Sequence, residues 1–317
     1  MRKVLITGGT GFLGKRLGRR LKESGFEVIL GGRNQKLAAA AEKFSGCTSV
    51  PLDVSRIESL RDVISVFAPD IVVHAAATKY VDKAELYPHE AIDINIIGSQ
   101  NVARVAMERK VDLVLGISTD KAAPPVRNTY GLTKAVMERL FCSLDGQSDT
   151  RFLCVRYGNV AWSTGSVLVA WKHMLDTSGV ISTTGPEMTR FFFSIDEAVQ
   201  LVVTGIVNSE KFHGQVLARE MKSAKLEHIL HIWTGLTGGT YQKVGGRPGE
   251  RSYEYLVGEL ELQYVNSHDI DGIKHYSINF NSRSHTALPN AISSDSADRL
   301  SDLEITELIL NPPSEDI

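Results

Sequence analysis

From Lys3 to Arg156 the chain alternates short apolar runs with segments whose apolar positions recur at helical spacing. The runs Lys3–Thr7, Glu27–Leu30, Thr48–Leu52, Asp70–His74, Asp112–Ile117 and Arg151–Arg156 are rich in Val, Ile and Leu and read as strands. Between them the spacing predicts helices over Gly11–Ser24, Gln35–Phe44, Ser55–Phe67, Pro88–Arg109 and Asn128–Ser143. Strands that are apolar on both faces, each followed by a helix, belong to a parallel sheet covered on both sides. The predicted class is therefore α/β, a doubly wound parallel sheet with right-handed crossovers. After about Tyr157 the rhythm changes. Helices over Val167–Asp176, Asp196–Asn208 and Ala224–Thr234 mix with short strands at Gln215–Leu217, Tyr241–Val244 and His275–Ile278, which predicts a smaller C-terminal α+β domain. The break is placed between residues 160 and 161, with later returns to the first unit. From about Arg283 the chain is polar, and parts of it are expected to be mobile.

Composition narrows the function classes. Hydrophobic residues make up 43% of the 317 and charged residues 23%, the balance of an ordinary globular chain. A net charge of −2 gives no global pull toward nucleic acid or an anionic membrane. No run approaches the ~18 apolar residues of a membrane span. Met1-Arg2-Lys3 leads straight into a strand with no apolar signal core, so a cytoplasmic location is expected. Cys47, Cys142 and Cys154 are widely spaced and match no metal-binding or disulfide pattern; they read as buried thiols, and no metal is expected.

The first candidate site follows the first strand. Gly8, Gly11 and Gly14 are spaced three apart in Thr7-Gly8-Gly9-Thr10-Gly11-Phe12-Leu13-Gly14, between a strand and a helix. In that context Gly8 permits a tight turn, Gly11 lets backbone approach a pyrophosphate at the helix N-terminus, and Gly14 allows close helix–strand packing. The fold is thus of the Rossmann type, with residues 1–160 as the dinucleotide-binding domain and 161–317 mainly on the substrate side. NAD-type sites carry an acid at the end of the second strand. This chain has Gly31-Gly32-Arg33-Asn34, and a guanidinium suits a ribose 2′-phosphate, so NADP is favoured over NAD. The plain alternative is a solvated loop arginine. Asp53 follows the third strand, where a carboxylate either accepts from an adenine amino group or caps the helix at Ser55.

A second constellation lies at the carboxyl end of the fifth strand and in the helix after it. Tyr130 and Lys134 are four apart and share one helix face. A nearby ammonium and an oxidised nicotinamide would lower the tyrosine pKa toward neutrality, suiting it to take a proton from a hydroxyl. Ser118-Thr119-Asp120-Lys121 ends the strand, where ligands of open parallel sheets bind. Asp120 and Lys121 form a candidate acid–base pair there. In isolation they read equally as a helix cap and a surface lysine.

Together with His74-Ala75-Ala76-Ala77, Lys79, Asn95-Ile96-Ile97-Gly98, Arg156-Tyr157-Gly158-Asn159-Val160, Met188-Thr189-Arg190-Phe191 and Arg247-Pro248-Gly249-Glu250, these motifs resemble the extended short-chain dehydrogenase/reductase superfamily. Within it they resemble the UDP-N-acetylglucosamine 4,6-dehydratases, especially the C5-inverting branch, from Lys3 to about Glu254. The resemblance implies a bound NADP contacted by Gly8, Thr10, Gly11, Phe12, Leu13, Gly14, Arg33, Asp53, Val54, Ala75, Ala76, Ala77, Asn95, Tyr130 and Lys134. It implies that Tyr130 takes the proton of the sugar 4-hydroxyl with Lys134 beside it, that Lys121 takes the C5 proton, that Asp120 protonates the departing 6-hydroxyl, and that Thr119 bonds near the 4-hydroxyl. It implies that Lys79, Asn159, Arg190, Arg247 and Glu250 contact a UDP-sugar, and that the protein is a homo-oligomer built on Pro88–Arg109 and Asn128–Ser143. Retention at C5, a 5,6-ene product, epimerisation and a non-catalytic NADP-binding sensor are the alternatives. The chain departs from the family pattern at Thr164, Tyr253, Asn34 and Arg219, and by one extra residue between Asp120 and Tyr130.

Overall fold

The structure, a computed structural model, describes residues 1–314. Its strands are β1 (Lys3–Thr7), β2 (Glu27–Gly32), β3 (Thr48–Pro51), β4 (Ile71–His74), β5 (Leu113–Ile117), β6 (Arg151–Arg156), β7 (Asn159–Val160), β8 (Val180–Thr183), β9 (Thr189–Phe193), β10 (Val216–Arg219), β11 (Ser223–Lys225), β12 (Thr240–Lys243), β13 (Tyr255–Val257), β14 (Val265–Ile270), β15 (Ile273–Ile278) and β16 (Ile292–Ser293). The helices are α1 (Phe12–Glu23), α2 (Gln35–Ser45), α3 (Ile57–Phe67), α4 (Val81–Leu86), α5 (Pro88–Ala91), α6 (Gly98–Glu108), α7 (Thr129–Leu144), α8 (Val167–Ser178), α9 (Ile195–Val207), α10 (Ser209–Phe212), α11 (Leu226–Thr237) and α12 (Asp302–Leu310).

The main sheet runs β14-β15-β10-β6-β5-β4-β1-β2-β3. From β3 to β10 every pairing is parallel, and β15 and β14 add an antiparallel edge. This is the Rossmann-type doubly wound arrangement, and its strand order reverses between β1 and β4. The inner strands β4 and β5 are buried at every position, as their unbroken apolar runs require. Val216–Leu217 and His275–Ile278 lie within β10 and β15 of this sheet, as later returns of the chain to the first unit.

The smaller layer is built from β7, β8, β9, β11 and β12 with α8 and α11. Trp162, Trp171 and Trp233 form its centre, with ring centroids 5.6 and 6.3 Å apart. The polar tail, expected to be partly mobile, is docked. Strand β16 pairs with β13, Ser294 is fully buried, Arg299 donates to Ser223 and Ser294, and Ile305 and Ile309 of α12 fill the tryptophan core. A few buried residues at helical spacing hold the segment, and average polarity conceals them.

Two further differences bear on the site. The single helix expected over Pro88–Arg109 is α5, then a π-turn at Ile92–Ile97, then α6, and α4 precedes it. The wide turn faces Asn95 inward, where its amide accepts from Thr78 N at 2.9 Å and donates to Thr78 O at 3.0 Å and to Thr133 at 2.9 Å. Behind α7, Arg156 is fully buried and holds Glu138 and Glu261 at 2.6–2.9 Å. That bidentate cluster ties the helix of Tyr130 and Lys134 to β6 and to the 259–264 turn. No helix among the described residues is long and apolar enough to cross a membrane.

Candidate active site

A cleft of about 590 Å³ opens at the carboxyl ends of β1, β2, β4 and β5. One end is built from backbone. Gly8 adopts φ +68°, and a Cβ there would lie 2.7 Å from Ala76 N. A Cβ on Gly14 would lie 2.5 Å from Gly9 Cα, so α1 starts hard against the turn. Gly9, which the spacing argument left out, is equally constrained: its Cβ would meet Ile6 O at 2.7 Å. Phe12 begins α1, leaving its first amides without helical partners on the cleft side. Thr10, Gly11, Phe12, Leu13, Arg33, Asp53, Val54 and Ala75–Ala77 complete this wall. The Asp53 carboxylate accepts from Ser55 N at 3.0 Å and Ser55 Oγ at 2.7 Å, a turn ahead of α3 and not a cap on it, since α3 starts at Ile57 with Arg56 before it. Burial raises its pKa, but the Ser55 hydrogen bonds, with Arg33 and Arg56, outweigh that and leave it lowered.

The other end is built from side chains. A Cβ on Gly131 would lie 2.2 Å from Lys121 O, so α7 packs directly on the Asp120–Ala122 turn. The longer loop therefore does not separate Tyr130 from Asp120 and Lys121. Thr119 lines the cleft with Tyr130 and donates to Asp120 Oδ1 at 3.0 Å. Lys121 Nζ donates to Asp120 Oδ1 at 3.0 Å and Asn159 Oδ1 at 3.3 Å. Asp120 is fully buried, and its Oδ2 has no hydrogen-bond partner. Such an orphaned oxygen is costly unless something reaches it.

Among the protein's own groups, the balance at Tyr130 runs upward. Burial, and then the Asp120 carboxylate, push the Tyr130 phenol above its ordinary value; the Thr119 hydrogen bond opposes them. The protein's own groups thus do not bring the tyrosine toward neutrality. Burial brings Lys134 down to about 8, against the opposing pull of Cys154 and Glu138. Burial also lowers Lys79, which lines the same cleft.

Thr119, Lys121, Tyr130, Lys134, Lys79 and Asn159 share the cleft with the glycine loop. Asn95, Asp120, Arg190, Arg247 and Glu250 are not on its walls. Asn95 is a buried brace, and Asp120 lies behind Lys121. Arg190 donates to the carbonyls of Thr189, Ser252 and Arg251, clamping the 251–252 segment. Glu250 accepts from Thr184 and from Arg247 N, closing an exposed turn. Sequence reasoning missed Glu254, whose buried carboxylate lies 3.9 Å from Lys121 Nζ. Nothing local in the sequence marks it, because it lies 133 residues beyond that lysine.

The polysaccharide biosynthesis protein family matches residues 4–274. The chain belongs to this family. Among its relatives, the capsular polysaccharide biosynthesis protein CapD of Staphylococcus aureus is 34% identical over 82% of the chain, though that match spans only 45% of CapD. A UDP-glucose 4-epimerase of Rickettsia bellii is 31% identical over 97% of the chain and 95% of its own length. The X-ray structure of Pen from Bacillus thuringiensis superposes with a TM-score of 0.88 at 27% identity, covering 98% of this chain and 97% of that one. The fold is also that of a UDP-glucuronic acid 4-epimerase from Bacillus cereus, solved with UDP-glucuronic acid and NAD (TM-score 0.71, 20% identity, 79% and 88% covered). The family member described here therefore has the fold and relatives of sugar-nucleotide epimerase/dehydratase enzymes.

Proposed function

We propose that the protein is an NADP-dependent 4,6-dehydratase of UDP-N-acetylglucosamine that inverts C5. The observation that carries this reading is Lys121 on the same cleft as Tyr130 and the glycine loop, hydrogen-bonded to the buried Asp120 carboxylate behind it. A hydroxyl-to-ketone reaction at C4 alone uses Tyr130; removing water across C5 and C6 needs a base and an acid besides. A nicotinamide dinucleotide fits the glycine wall, where any Cβ at Gly8 or Gly14 would strike backbone. The chemistry it supplies is reversible two-electron oxidation of a carbinol. Arg33 at the end of β2, with no acid from Gly31 to Asn34, supports NADP.

In this reading Tyr130 takes the 4-hydroxyl proton, held by Thr119. Lys121 takes the C5 proton, which the 4-ketone has made acidic. Asp120 donates a proton to the 6-hydroxyl, which leaves as water. Lys79 and Asn159 line the sugar end, and Arg190, Arg247 and Glu250 are assigned to the UDP moiety, which requires the 245–252 segment to engage it. The reading also has the enzyme acting in the cytoplasm as a homo-oligomer, for which exposed Ile92, Ile97, Leu132 and Val136 on the π-turn and α7 offer an apolar face.

A second reading, 4-epimerisation, is favoured by the name of the Rickettsia relative and needs only Tyr130. The test incubates the protein as isolated with UDP-N-acetylglucosamine in heavy water, followed by proton NMR and mass spectrometry. Loss of one water with deuterium at C5 and an inverted coupling pattern is the expected result. Loss of water with unchanged C5 moves the protein to the retaining branch. A 4-epimer of unchanged mass selects the second reading, and no turnover with NADP supplied rejects this substrate.

A further inference from the structure

Lys121 sits between two buried carboxylates, and the reaction described above uses only one of them. Glu254 Oε1 lies 3.9 Å from Lys121 Nζ, on a side chain 3% exposed. Its Oε2 has no hydrogen-bond partner, and Arg251 Nη1, also unpartnered, stands 3.6 Å from it. With Asp120 Oδ2, three buried polar atoms near Lys121 and Glu254 lack a hydrogen bond. Buried polar atoms are ordinarily hydrogen-bonded, so a cluster of unsatisfied ones points to a role other than stability.

The backbone of Glu254 is pinned. Its N–H donates to Ser294 Oγ at 3.0 Å, and Ser294 N donates back to Glu254 O at 2.8 Å. Ser294 Oγ in turn donates to Thr189 O at 3.0 Å. The docked C-terminal segment thus sets the height of this carboxylate against the turn that follows β5.

We propose that Glu254 is a positioning residue for Lys121. Resting on the dehydratase reading, the negative charge of Glu254 holds the lysine amine and offsets the ammonium formed when it takes the C5 proton. One proton passes from carbon to the Lys121 nitrogen, the C–H electron pair stays on the sugar, and Glu254 remains ionised throughout. Asp120 is then free to hold the proton that leaves with the 6-hydroxyl. The charged groups facing Glu254 are Lys121 and Asp120 from the turn after β5, Arg190 from β9 and Arg251 from its own segment. Burial raises its pKa, Lys121 lowers it, Asp120 raises it, and the two arginines lower it, leaving the carboxyl above its ordinary value. The charge interaction between Lys121 and Glu254 is therefore a measurable coupling.

The test has two arms. Protein labelled with 13C at the glutamate carboxyls is titrated by NMR, with Glu254 assigned from Glu254→Gln. In Lys121→Met the Glu254 titration moves to higher pH, and an unmoved titration overturns the proposal. This arm needs no substrate. In the second arm, Glu254→Gln lowers kcat on UDP-N-acetylglucosamine about tenfold, less than the ~10²–10⁴ carried by a proton-transfer group. KM stays within about twofold. The acid limb of the pH–rate profile, set by protonation of Lys121, moves to lower pH in Glu254→Gln and stays in place in Glu254→Asp. A fall in kcat with an unchanged pH profile marks a structural role and overturns the proposal. If wild type does not turn over while the first arm holds, the dehydratase reading fails and the Glu254–Lys121 coupling stands.

Discussion

The two ends of the cleft are made of different materials. At the glycine end the surface is main chain. Gly8, Gly9 and Gly14 let β1, α1 and the Ala75–Ala76 backbone approach until no Cβ fits, and the first turn of α1 faces the cavity. At the Lys121 end the surface is side chain, and its groups are charged, buried and incompletely paired. A wall of backbone is rigid and tolerant of what lies behind it. A cluster of buried charges depends on every member, because each loses its compensation when a neighbour goes. The two ends should therefore fail in different ways.

The largest effect is expected at the charged end. Lys121→Met and Asp120→Asn should each lower turnover by ~10²–10⁴-fold, with NADP affinity measured by calorimetry unchanged. Comparable in energy, but felt in folding, is Arg156→Met. It strands Glu138 and Glu261, both nearly fully buried, and should cost about 3–5 kcal/mol in urea unfolding. A loss under about 1 kcal/mol would mean that the carboxylates find other partners.

Below these comes pH. His74 is fully buried between Thr7 and Ser99, and burial, with Lys134 adding to it, holds its pKa at about 3. An unfolded imidazole titrates near about 6.5. Between those values the unfolded chain binds the extra proton, so stability is full above about pH 6.5 and falls as pH drops toward 3, by a few kcal/mol in all. Denaturant curves taken across that window should show the slope, and His74→Gln should flatten it.

At the glycine end the effects are smaller and of another kind. Gly14→Ala forces backbone apart at a cost of about 1–3 kcal/mol. It should release the cofactor while leaving the Glu254–Lys121 coupling in place. Smallest of all, Arg33→Ala should narrow the preference for NADP over NAD by about tenfold, one charge-assisted contact's worth. An unchanged ratio would return Arg33 to the solvated-loop alternative.

The same division explains what was readable in the chain itself. The glycine end is local: strand, loop and helix lie within residues 3–23, so spacing alone locates them. The parallel sheet is legible for the same reason, since β1, β4 and β5 carry their burial in unbroken apolar runs, while the edge strand β3 is largely exposed. Lys121 and Tyr130 stand nine residues apart and were found by motif and resemblance, but the contact that joins them, Gly131 on the Lys121 carbonyl, is tertiary. Glu254 and Ser294 were invisible, because their partners lie across the chain and a buried carboxylate looks like any surface one in sequence. The π-turn at Asn95 was also hidden: its residues fit a helical period, and only the inward amide reveals the extra width. Strands β10 and β15 were seen as strands, but pairing partners are not written in a strand's own residues.

The central claim is that one end of the cleft holds the cofactor and the other moves protons. The most direct measurement compares NADP binding and water loss from UDP-N-acetylglucosamine in wild type and Lys121→Met under the same conditions. The account predicts equal NADP affinity and no detectable dehydration in the variant. Affinity falling in step with turnover, or dehydration persisting without Lys121, would contradict it.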